Sequence, residues 1–175
     1  DILKEWDYTR DYACERGNQV HLYSQSLWSG NKYTLDYSKI NEMFIDELKV
    51  ELPILFNQAL EFYEEYKDTY EFVEEEQFLY NDDYDLAGSI DLLLRNRFTG
   101  EYVIVDFKTY GTLHKKVYNK MKIPLEKFDD DNITHISFQT EVYKQLFEIE
   151  TGLKIGEVFG VYFSIKNKSY EIIEV

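Results

Sequence analysis

The sequence predicts a mixed α/β fold: a central mixed β-sheet flanked by helices. Three observations predict it. Apolar residues recur at three- and four-residue steps in the first third of the chain, the period changes to two from Tyr70 to Thr109, and a further helical stretch precedes two short terminal strands. The order is therefore helices, three strands, a helix and two strands, which packs helices against a sheet. With 175 residues, 44% of them hydrophobic, the chain can bury one real core, and one domain over 1–175 is expected.

The elements follow in order. Ile2 to Gln25 reads as a helix, with Gly17 as a point of interruption. Polar residues from Ser29 to Asp36 read as a loop or short ribbon. Phe44, Leu48, Leu52, Leu55, Phe56, Ala59, Leu60 and Tyr63 then mark an amphipathic helix, or two if Pro53 opens a second one. From Tyr70, alternation places Phe72, Glu74, Glu76, Phe78 and Tyr80 on one face of a strand. Further strands are expected over Leu86–Arg95 and Glu101–Thr109, and the turn residues Asn96 to Gly100 make them a hairpin. A helix from Ser137 to Glu150 ends at Gly152. The last strands, Glu157–Ile165 and Ser169–Val175, join at Asn167 and Lys168.

Charge is unevenly spread. The net charge is −15, yet residues 1–85 carry 7 basic against 21 acidic groups and the remainder 12 against 13. Lys108, Lys115, Lys116, Lys120, Lys122 and Lys127 fall in one stretch of that remainder, opposed only by Glu126. Such a stretch could accommodate phosphate while the acidic half stays in solvent. No apolar run approaches the ~18 residues of a membrane helix, and the chain opens on no basic-then-apolar signal. An opening Asp1 in place of Met is what a piece of a longer chain would show. The single cysteine, Cys14, excludes an internal disulfide and points to a reducing, intracellular setting.

The chemistry lies in two strands. In Val103-Ile104-Val105-Asp106-Phe107-Lys108-Thr109, Asp106 and Lys108 share one strand face. Charged groups in an apolar strand are costly to desolvate and imply a compensating partner such as a metal ion. The preceding strand carries Asp91 in Ala87-Gly88-Ser89-Ile90-Asp91. If the hairpin forms, Asp91 and Asp106 lie on adjacent strands and could share a hard cation, Mg²⁺ or Mn²⁺.

Gly88-Ser89-Ile90-Asp91, then Asp106-Phe107-Lys108-Thr109, then a helix with Gln139-Thr140-Glu141-Val142-Tyr143 resembles the signature of RecB-like nucleases in the PD-(D/E)XK superfamily. Upstream, Gly17-Asn18-Gln19-Val20-His21 matches the family's helical Gly-x-x-x-His, so the resemblance runs from about Gly17 to Phe163. The stretch Met121 to Tyr143, with Pro124, the acidic residues Asp129 to Asp131 and His135, looks like phage and viral members especially. The resemblance implies a restriction-endonuclease-like core. It also implies that Asp91, Asp106, the Phe107 carbonyl and His21 ligate one or two Mg²⁺ or Mn²⁺ ions. Lys108 would act on the attacking water and offset charge on the phosphate, while Gln139 and Tyr143 position Lys108 or the substrate backbone. An upstream glutamate often joins the metal in this family, and parity and spacing to Gly88 favour Glu76 among Glu74, Glu75 and Glu76. Two departures stand out: one cysteine cannot hold the iron–sulfur cluster of many relatives, and Gln25 stands where members often have glutamate.

The expected activity is metal-dependent phosphodiester hydrolysis by a DNA exonuclease acting on single-stranded ends. Lys115, Lys116, Lys120 and Lys122 would follow the phosphate backbone, and a helicase or recombinase could be a partner. No membrane contact is expected. Three readings compete with it: a nuclease fold that holds DNA or protein without cutting, a viral RNA endonuclease, and a structural protein with chance motif matches.

Overall fold

The computed structural model describes residues 2–109, 112–114 and 117–174. Helix α1 is Ile2–Ser29, and after two 3₁₀ turns helix α2 spans Ile45–Tyr66. Strands β1 (Tyr70–Asn81), β2 (Leu86–Asn96) and β3 (Tyr102–Lys108) follow. Helix α3 (Asn132–Thr151) then leads to β4 (Ile155–Tyr162) and β5 (Glu171–Glu174). The sheet order is β1-β2-β3-β4-β5, antiparallel except for the parallel pair β3–β4. The expected mixed α/β architecture is what forms.

Two apolar layers sandwich the sheet. Leu48, Leu52, Leu55 and Phe62 of α2 pack with Val103, Val105 and Phe107 on one side. On the other, Leu146 and Phe147 of α3 pack with Leu93 and Ile104. Burying a Leu or Phe side chain is worth about 1.5–3 kcal/mol, so these layers anchor β3 firmly.

Several boundaries differ from expectation for identifiable reasons. Gly17 does not interrupt α1. A side chain there would begin 3.3 Å from Thr109 Oγ1, so glycine lets the helix lie close to the end of β3. Pro53 sits inside α2 rather than opening a second helix. Helix α3 begins at Asn132 because Asp131, read as part of an acidic cluster, is its N-cap and accepts the Thr134 amide at 2.8 Å. Strict alternation in β1 also fails. The register with β2 shifts between Phe72 and Glu74, and Glu76 has a positive φ of 52°. Phe72 is therefore out of phase with the residues after the shift, whereas Glu74 to Tyr80 keep one continuous register on β2.

The feature that positions the site is a fork. The β2–β3 ladder runs from Arg95↔Tyr102 to Leu92↔Val105 and ends there. Strand β3 continues on β4 through Asp106↔Gly160 to Lys108↔Tyr162. Asp91 and Asp106 are the first residues past the last β2–β3 rung.

Candidate active site

At the fork, Asp91 replaces the missing rung with its side chain. Its Oδ2 accepts the Phe107 amide N–H at 2.8 Å and lies 3.4 Å from His21 Nδ1. Asp106 is 2% exposed, and Lys108 Nζ lies 2.7 Å from its Oδ2. The imidazole of His21 stands edge-on to the Phe107 ring at 5.9 Å, and its pKa shift includes a hydrogen bond with the Phe107 backbone. The four residues expected at the centre, His21, Asp91, Asp106 and Lys108, are brought together. His21, Phe107 and Lys108 line an open cleft of about 350 Å³, with Cys14, Arg16 and Thr109 on the same wall.

Burial sets the electrostatics. It pushes the Asp91 carboxyl up to about 6, against the Phe107 amide and the Lys108 charge, which favour the ionised form. Burial and then the neighbouring Asp91 charge push Asp106 up to about 6 as well, opposed by Lys108 and His21. Desolvation and then the Lys108 charge lower the His21 pKa, so the imidazole is neutral at pH 7 and able to act as a ligand.

Glu76 comes to the site by a route that alternation did not foresee. Its left-handed backbone, which costs a non-glycine residue about 1–2 kcal/mol, turns the carboxylate toward α1. There it accepts from Gln25 Nε2 and from Ser89 Oγ, the latter at 3.3 Å. Gln25 also donates to the Asp91 carbonyl at 3.0 Å. The glutamine noted as a departure is thus a buried brace between β1, β2 and α1, four residues and one turn beyond His21. That spacing was the available signal.

Arg16 was also missed. Its Nη1 pairs with Glu51 at 2.8 Å and its Nη2 donates to the Thr109 carbonyl at 2.8 Å, tying α1, α2 and the end of β3 together. On α3, Gln139 Nε2 donates to Tyr143 Oη at 2.7 Å, and the Tyr143 ring lies over Gly88. A Cβ on Gly88 would fall 2.4 Å from Tyr143 Cε1, so the glycine of the Gly-x-x-Asp motif makes room for the tyrosine of the Gln-x-x-x-Tyr motif.

The lysine stretch is only partly in view. Lys115 and Lys116 lie outside the described residues. Lys120 is exposed and pairs with Asp129 at 2.7 Å, Lys122 is exposed, and Lys127 sits 4.9 Å from the Phe128 ring centre.

The donor chemistry suits a hard divalent cation. Asp106 Oδ2 is a buried carboxylate oxygen whose close neighbour is the Lys108 ammonium, and a second carboxylate, Asp91, stands beside it. Among the described residues, no three His, Cys, Asp or Glu groups already converge on one point. The Lys108 ammonium occupies the Asp106 oxygen that a cation would need.

Two buried carboxylates, an amine and an imidazole at a sheet fork define a site suited to charge-dominated hydrolytic chemistry. Residues 5–173 match the model of the PD-(D/E)XK nuclease superfamily, and the chain belongs to that superfamily. Its mixed five-stranded sheet with flanking helices is the restriction-endonuclease-like fold, and nucleases of this family generally use divalent metals such as Mg²⁺. Among solved structures, a protein from Eubacterium rectale named "Putative exonuclease" is similar at 16% identity and a TM-score of 0.45, over 91% of this chain and 59% of that one. The protein SSO0001 is similar at 16% identity and a TM-score of 0.36, over 99% of this chain and 78% of that one. The chain thus spans under two thirds of the first of these. No curated protein matches the sequence. No helix among the described residues is long and apolar enough to cross a membrane.

Proposed function

We propose that the chain is a nuclease domain that hydrolyses phosphodiester bonds with the help of Mg²⁺ or Mn²⁺, acting on single-stranded DNA ends. The observation that carries this reading is the meeting of Asp91, Asp106, Lys108 and His21 beside one open cleft, in a chain of the nuclease superfamily. Asp91, Asp106, the Phe107 carbonyl and His21 would hold the ion, with Glu76 at its outer side. Bound there, such an ion lowers the pKa of a water and stabilises charge on the phosphate oxygens. No iron–sulfur cluster enters the proposal, because Cys14 alone cannot supply four thiolates.

The chain's own residues do the rest. Asp91 and Asp106, with pKa values near 6, are mostly ionised at neutral pH and ready to bind a cation. Lys108 Nζ rests 2.7 Å from Asp106 Oδ2, and a cation held at that carboxylate would leave the amine available to water or phosphate. Lys108 then orients the attacking water and offsets negative charge developing on the phosphoryl group. The Gln139–Tyr143 pair, packed on Gly88, positions Lys108 or the substrate backbone. Preference for single strands and ends rests on the resemblance of this helix to RecB-like, phage-type members, whose partners would be a helicase or recombinase.

The test is digestion of end-labelled linear and circular single-stranded DNA, and of matched RNA, with Mg²⁺ or Mn²⁺. Loss of the linear strand from its ends, survival of the circle and inactivity of Asp106→Ala are expected. Binding without cleavage under every divalent ion would make the chain a binding module, and preferential RNA cutting would make it an RNA nuclease.

A further inference from the structure

A second cavity, of about 320 Å³, lies along α1. Gln19, Leu22 and Gln25 of the helix form one wall, the loop residues Asn31, Lys32 and Lys39 form the rim, and Glu75 of β1 closes the end. The two spaces are neighbours. His21 lines the first and Gln25, one turn on, lines the second while hydrogen-bonding Glu76 and the Asp91 carbonyl. A ligand in this cavity would therefore sit directly beside the carboxylate cluster.

Its charge pattern selects the ligand. The first 85 residues are strongly acidic, with 7 basic against 21 acidic side chains, yet two of the seven basic groups stand on this one rim. Each acidic group of the lining has hydrogen-bond donors of its own. Glu75 accepts from Asn31 Nδ2 at 3.1 Å, and Asp36 caps a 3₁₀ turn by accepting from the Ser38 amide and hydroxyl. Lys32 is exposed and has no ion-pair partner among the described residues, and Lys39 is held only by a 3.8 Å contact with Asp36. Two available ammonium groups over a polar, amide-lined cavity suit a phosphate at the rim and a heterocyclic base inside. The volume falls in the usual range for small-ligand sites, about 300–1,000 Å³.

We propose that this cavity is a nucleotide subsite, which takes the base and phosphate of a strand unit next to the one that is cut. It rests on the nuclease reading above. The phosphate would lie on Lys32 and Lys39 and the base against Leu22, Gln19 and Asn31.

The test is binding of a fluorescein-labelled thymidine oligonucleotide in EDTA over a salt series, for wild type, Lys32→Ala/Lys39→Ala and Leu22→Glu. All three substituted side chains are exposed, and thermal midpoints report whether the variants fold normally. Loss of the one phosphate contact in the double lysine variant should flatten the slope of log affinity against log salt by ~0.7. Leu22→Glu should weaken binding at low salt. An unchanged slope and affinity in both variants, or no binding by wild type, would overturn the subsite. Because this readout needs no cleavage, it fails separately from the nuclease reading. Wild type that binds through Lys32 and Lys39 but never cuts would retain the subsite and lose the enzyme, whereas full cleavage with wild-type KM in the lysine variant would do the reverse.

Discussion

The Asp91 carboxylate accepts the Phe107 amide at 2.8 Å, one step beyond the last rung between β2 and β3. A side chain thereby takes the place of a strand neighbour. The consequence is that strands can separate at the fork without orphaning a buried N–H, a defect that would cost ~1–3 kcal/mol. The same contact keeps Asp91 beside Asp106 and His21, so the group that tolerates the fork also belongs to the candidate site.

Burial of the two carboxylates predicts a pH signature in metal-free protein. Both have folded-state pKa values near 6 against 3.8 when exposed, so the folded state holds more protons between those values. Stability contributed by these groups is therefore greatest at the acid end of the window and falls as pH rises through it. The pair shares the change, since each charge raises the cost of the other. In EDTA, the thermal midpoint of wild type should fall relative to Asp91→Asn/Asp106→Asn as pH rises from about 4 to about 6. His21 is present in both proteins, so its own titration largely cancels. A constant difference across the window would show that the carboxylates are not desolvated.

Lys108 separates cutting from binding. Its amine should act mainly in the transition state, so Lys108→Ala should lower turnover by ~10²–10⁴-fold with little change in single-strand affinity. Lys108→Arg should not restore activity, because guanidinium holds its proton and is larger and planar. Asp106 would also lose its ion-pair partner, which raises its carboxyl pKa further and moves the acid limb of the residual pH–rate profile upward. Full cleavage by Lys108→Ala would place the active site elsewhere.

Packing of Tyr143 on Gly88 predicts a coupled pair. Gly88→Ala sets a methyl 2.4 Å from the ring edge, and such overpacking typically costs ~1–3 kcal/mol. The ring has little freedom to retreat, because Gln139 holds its hydroxyl. Urea unfolding of Gly88→Ala, Tyr143→Ala and the double variant should give a coupling of ~0.5–3 kcal/mol, with the glycine substitution nearly harmless once the ring is gone. Equal cost of Gly88→Ala in both backgrounds would dismiss the contact.

By itself the sequence determined the order of elements and which of them carry the candidate site residues. Period-two apolar runs marked β2 and β3, and an Asp or a Lys within such a run announced a site because burying charge without a partner is expensive. Motif order was legible for the same reason, since Gly88, Asp91, Asp106, Lys108, Gln139 and Tyr143 each break or punctuate a local pattern. What only the tertiary structure decided is where pairing stops and which distant groups brace the result. The fork beyond Leu92 and Val105, the left-handed turn at Glu76 and the uninterrupted passage of α1 through Gly17 all depend on contacts with residues remote in sequence. Gln25 was marked only by its spacing from His21, and Arg16 carried no signal, because an amide or guanidinium on a helix is ordinarily solvated. They act here because folding brings Glu76, the Asp91 carbonyl, Glu51 and the Thr109 carbonyl within hydrogen-bond reach, and periodicity along one chain segment cannot report which remote partner will arrive.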